Sequence, residues 1–144
     1  MKRFREHLFI ILLFFITPSL ANQDIIEERI YFFKKSDSSL SIIKKSIKLE
    51  DFDKILLEGK FIYEWSLSIP LYFPEGTHAS MENNSDASYD IWVNFQDFIE
   101  KAKVTENASF ELIKSASKKD LKQIKINLEK ITNSCTSCHR SYRN

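Results

Sequence analysis

Near the end of the chain stands Cys-Thr-Ser-Cys-His, residues 135–139, with only Arg140 to Asn144 after it. It holds both cysteines and one of the three histidines. If this stretch is helical, Cys135 and Cys138 lie one turn apart on one face, and His139 falls close to that face. Two thiols and an imidazole then share one small space. Cys-x-x-Cys-His is the attachment signature of c-type haem. The thiols add across two vinyl groups of the porphyrin, and the next residue offers an imidazole to the iron. A disulfide within the turn is a competing reading, but a redox dithiol is expected beside a βαβ pattern and none is visible. Zinc would need a fourth ligand, and only His78 or a carboxylate is left to supply it.

The N-terminus supports the haem reading. Lys2, Arg3 and Arg5 precede an unbroken apolar run, Leu8 to Ile16, followed by Thr17, Pro18, Ser19, Leu20 and Ala21. That is the layout of a secretory signal, and the run is short for a membrane span. The sequence predicts cleavage after Ala21, a mature domain over residues 22–144, and a periplasmic protein with no membrane attachment once the signal is gone. An uncleaved anchor is the alternative. Haem attachment of this type is made outside the cytoplasm, as is a stable disulfide.

The elements that carry the motif must be helices. Two glycines and three prolines in 144 residues leave little material for the turns of a sheet protein. Lysine and arginine number 21 against 20 acids, so nothing points to nucleic acid. Apolar spacing predicts a first helix over about 24–48, with a bend allowed at Ser36–Ser39, and a second over about 51–68 capped by Asp51. A loop follows over about 70–87, rich in turn residues. A third helix is expected over about 88–117, distorted between Lys103 and Ser109. A fourth follows Asp120. There Leu121, Ile124, Leu128, Ile131, Cys135, Cys138 and Tyr142 recur at alternating steps of three and four. The expected fold is all-α, an antiparallel up-down-up-down four-helix bundle with the haem on its C-terminal helix.

With the motif so placed, the sequence resembles the class II c-type cytochromes, the cytochrome c′ and cytochrome c-556 family. The carriers are CTSCHRSYR near the C-terminus, Ile91-Trp92 and Phe95 in the preceding helix, and Ile69 to Thr77 after the second helix. Arg29, Phe33 and Lys34 resemble an Arg-x-x-x-Met-Lys element of the family's first helix. The resemblance implies one covalent haem c per chain, held by Cys135 and Cys138, with His139 as axial ligand. It puts Arg143 near the proximal side and Arg29 near a propionate, although Arg29 also reads as a solvated helix charge. Phe33, Leu71 and Phe73 would line the distal face, or serve as core.

Phe33 departs from the methionine of six-coordinate members, and a phenyl ring has no lone pair for iron. Met81, the sole methionine of the mature chain, falls in the loop, and His78 is the other candidate ligand. The expectation is five-coordinate iron under an apolar face without a hydrogen-bond donor, binding NO and CO. The alternatives are a six-coordinate electron carrier and a haem-free helical protein with a disulfide. No hydrolytic constellation is present, so no enzyme is predicted. A redox partner protein is implied. So is a homodimer through the first two helices, with Tyr31, Phe32 and Tyr63 either exposed aromatics at that surface or simply core.

Overall fold

A computed structural model describes residues 18–144, with side chains from Asn22 onward. The expected signal and its cleavage point fall outside the described residues, apart from the backbone of 18–21. Four long helices form the bundle: α1 (Pro18–Leu49), α2 (Phe52–Ser68), α4 (Phe95–Ser117) and α5 (Leu121–Tyr142). Between α2 and α4 lie a 3₁₀ turn over Ile69–Tyr72, a loop, and the single-turn α3 (Asp90–Val93).

The helix ends follow from local chemistry. Asp51 accepts from the Lys54 amide and Asp120 from the Gln123 amide, each at 3.0 Å, so both residues cap their helices as side-chain acceptors. Pro70 enters the 3₁₀ turn and stops α2. Glu50 and Lys119 adopt left-handed φ values of 54° and 56°, which reverse the chain in very short connections. These tight reversals make consecutive long helices antiparallel neighbours.

Two expectations need correction. The serine-rich patch does not bend α1. Ser36 Oγ bonds back to the Phe32 carbonyl at 2.9 Å, and Ser39 donates to Glu58 of α2 at 2.7 Å, so both hydroxyls are satisfied with the helix intact. The third predicted helix is broken at Asn94 (φ −123°, ψ 41°), and 103–109 is regular helix. That stretch looked too polar for a packed helix. Of its polar residues, Thr105 pairs with Ser134 of α5 at 2.9 Å, Ser109 bonds back to the Thr105 carbonyl at 2.8 Å, and Lys103 donates to Glu100 at 3.0 Å.

The interior is built in two halves. One centres on Ile43, Ile55, Leu112, Ile124 and Ile131, all at 0% exposure. The other is aromatic, with Trp65, Phe73, Phe98 and Tyr142 buried and Phe32, Phe33, Tyr72 and Trp92 packed on them. Around the bundle α1 packs on α2, α2 on α4, and α4 on α5; the fourth seam, between α1 and α5, is the slightest.

Candidate functional site

The Cys-x-x-Cys-His turn lies in the last helical turns of α5, where the two halves of the interior meet. Cys135 packs against the aliphatic half and Cys138 against the aromatic half. Two features fix the rotation of α5. Ile124, Leu128 and Ile131 bury one stripe, and Ser134 bonds to both Thr105 and the Ile131 carbonyl. With Ser134 held against α4, the next residues come round toward the α1 side. His139 meets Phe33 of α1 there, ring centroids 6.1 Å apart and nearly perpendicular. The thin α1–α5 seam is thus lined by the thiols and imidazole of α5 and the phenyl ring of α1.

Both cysteines are free and half-buried. Burial, then the charge of Asp37, raises the Cys135 thiol. Burial, then Cys135, pushes Cys138 up to about 11. Both sulfurs therefore carry their protons at neutral pH. His139 is lowered by burial and then by the positive charge of Arg143, so its imidazole is neutral and keeps a lone pair for a metal. Among the described residues no group of three or more His, Cys, Asp or Glu is arranged to hold a metal ion. The donors instead suit a flat apolar group gripped by two sulfurs and one nitrogen, with aromatic rings opposite.

The predicted residues are only partly brought together. Phe33 and Phe73 share the aromatic half, centroids 6.4 Å apart. Leu71 sits on the 3₁₀ turn at 77% exposure and stands outside that cluster. Arg29 is no solvated charge, being 3% exposed. Nη1 donates to the Tyr72 carbonyl (3.2 Å) and Thr77 Oγ1 (2.8 Å); Nη2 donates to the Thr77 carbonyl and Ser85 Oγ (2.5 Å). Its guanidinium also lies 4.4 Å from the Phe73 ring centre. Four of its five N–H donors hold the loop, and Nε–H alone makes no hydrogen bond among the described residues. Burial lowers Arg29 to about 10, which still leaves it a cation at neutral pH.

Arg143 is drawn outward, Nε and Nη2 both on Asp86 Oδ2 at 3.2 and 2.9 Å. Its backbone pairs with Ala87, and the flanking Ser88 and Asn144 amides bond across the same clasp. His78 packs on Tyr89 and Trp92 in the loop, and Met81 is fully exposed.

Trp65 was missed as a site residue, since by spacing it is one more apolar position of α2. It is 5% exposed, it meets Phe33 edge-on at 5.2 Å, and its indole N–H is buried with no partner among the described residues. Such an orphan donor costs about 1–3 kcal/mol. No signal in the sequence distinguishes it from Trp92, whose N–H bonds the Phe73 carbonyl at 3.1 Å.

Comparison with known proteins agrees with this geometry. The family model described as Cytochrome C' matches residues 24–143. Cytochrome c' of Rhodospirillum rubrum is 29% identical over 76 residues, 53% of this chain and 50% of that protein, so the match spans half the length of that relative. Cytochrome c' from Thermochromatium tepidum superposes with a TM-score of 0.77 at 18% identity, covering 85% of this chain and 95% of that one. The nitric oxide complex of a point variant of cytochrome c prime from Alcaligenes xylosoxidans gives 0.74 at 21%, covering 85% and 95%.

Proposed function

We propose that this chain, which belongs to the cytochrome c′ family, is an exported haem protein that binds small uncharged gases such as NO and CO and exchanges single electrons. Its cofactor is haem c. The observation that carries the reading is Phe33: the ring facing His139 has nothing to donate to iron. Among the described residues the other two candidate ligands, His78 and Met81, belong to the loop and not to this face.

Haem supplies an iron that changes valence and takes a ligand on its open side. The chain's residues do the rest. Cys135 and Cys138 would hold the group as two thioethers, each thiol supplying its sulfur to one vinyl carbon and its proton to the other, so that no oxidant or reductant would be consumed. Neutral His139 would supply a ring nitrogen to the iron. Phe33, packed on Trp65 and Phe73, would keep water from the iron and would admit a diatomic if its ring swung aside. Free thiols and family membership weigh against the disulfide reading. We assign ligand binding and redox exchange, not substrate turnover, with a partner protein as the electron source or sink and the periplasm as the location.

The test is the optical spectrum of the holoprotein. High-spin ferric and ferrous forms, and rapid uptake of CO by the ferrous protein, are expected. A low-spin ferrous form that ignores CO would establish the six-coordinate carrier instead. A pyridine haemochrome assay without a c-type signal would exclude covalent haem.

A further inference from the structure

The face opposite His139 is not wholly without a donor. The Phe33 ring centroid lies 6.1 Å from that of His139 and 5.2 Å from that of Trp65. The indole is also closed in by Phe32, stacked at 4.9 Å, and by Tyr72, edge-on at 5.1 Å. Its N–H reaches neither solvent nor any acceptor among the described residues. The molecule's other tryptophan does have an acceptor, so a satisfied indole is attainable in this same cluster. A ligand that enters opposite His139 must displace the Phe33 ring. The vacated volume borders the indole, and the incoming atoms are then the available acceptor for its N–H.

We propose that Trp65 is a ligand-sensing residue: its indole N–H, screened by Phe33 at rest, donates a hydrogen bond to a diatomic bound opposite His139. The ligand class is a small molecule whose outer atom accepts a proton. The arrangement favours it over water in the resting state, because Phe33 fills the space until a ligand with high affinity for iron opens it. This inference rests on the five-coordinate reading above.

The experiment compares the C–O stretch of the CO-bound ferrous holoprotein with that of Trp65→Phe, by infrared spectroscopy. A hydrogen bond to the outer oxygen lowers the stretch. The variant's stretch is therefore expected to rise, and its CO to leave about fivefold faster, the factor for one ordinary hydrogen bond. Deuterium exchange of the wild-type protein gives a second reading that needs no variant, since the stretch shifts only when the indole proton is bonded to the ligand. An unchanged stretch in Trp65→Phe, with no deuterium shift in the wild type, overturns this inference alone. So does a variant that alters only the haem carboxylate modes, which would assign the N–H to a propionate. A holoprotein that takes up no CO overturns the five-coordinate reading and this inference with it.

Discussion

At the scale of single residues, the proposed function turns on one ring, and the loop beside it on one cation. Replacing Phe33 by methionine puts a thioether where the phenyl ring faces His139. The sulfur has a lone pair for iron, so Phe33→Met is expected to convert a high-spin protein to a low-spin one and to slow CO uptake. An unaltered spectrum would mean that residue 33 does not reach the iron. Arg29 acts differently. Its hydrogen bonds gather Tyr72, Thr77 and Ser85, residues far along the chain from α1. Arg29→Met would remove four hydrogen bonds from that cluster at once, leaving Thr77 and Ser85 only the bonds between themselves, to the Pro74 carbonyl and to the Ala87 amide, and a loss of about 3 kcal/mol is expected in denaturant unfolding. Arg29→Lys should recover less than half, because an ammonium cannot span the fork. A change within about 0.5 kcal/mol for Arg29→Met would show that the loop holds itself. The thiols and imidazole were legible in the sequence because their spacing has one dominant chemical meaning. The Arg29 network was not, because its partners are common polar residues of an irregular loop.

Among the elements, α5 was the easiest to read and the α3–α4 boundary the hardest. The apolar steps of α5 continue through both cysteines, so one pattern gave the helix, its buried face and the aim of the motif. Asn94 interrupts a stretch whose apolar spacing continues on either side of it. Tyr142 reaches across to this region, its hydroxyl on Asp97 Oδ2 at 2.5 Å, and burial followed by that bond raises the phenol. The break thus lies where the end of α5 and the start of α4 are tied together. Close approach matters more for α2 against α4. A Cβ on Gly59 would lie 3.3 Å from Leu112 Cδ2 and 3.4 Å from Ile113 Cγ1. Leu112 is fully buried and cannot move far. Gly59→Val should therefore push the helices apart and destabilise by about 1–3 kcal/mol, read by thermal unfolding. Equal or higher stability would show that the crossing has slack. Packing of this kind leaves no trace in apolar periodicity, where a glycine reads only as a weak helix former.

The whole molecule is a bundle with three strong seams and one weak one. Packing between α1 and α5 is slight, and the side chains suited to hold haem line that seam. The remaining ties at this end of the molecule run through the loop: Arg29 to Thr77 and Ser85 from α1, and Asp86, Ala87 and Ser88 to Tyr142, Arg143 and Asn144 from α5. Haem attached to α5 and covered by α1 would add contact across this seam, so it should act on the bundle as a bound ligand that stabilises the native state. The expected consequence is uneven. In a chain prevented from taking haem by Cys135→Ser and Cys138→Ser, amides of α1 around Arg29 to Ser36 should exchange much faster with deuterium than in the holoprotein. Those of α2 and α4 around Ile55 and Leu112, buried in the aliphatic half, should lose far less protection. Mass-spectrometric hydrogen exchange on the two proteins measures this directly. Equal loss of protection in all four long helices would mean that haem supports the fold as a single unit, and that the α1–α5 seam is not where the polypeptide alone is weak.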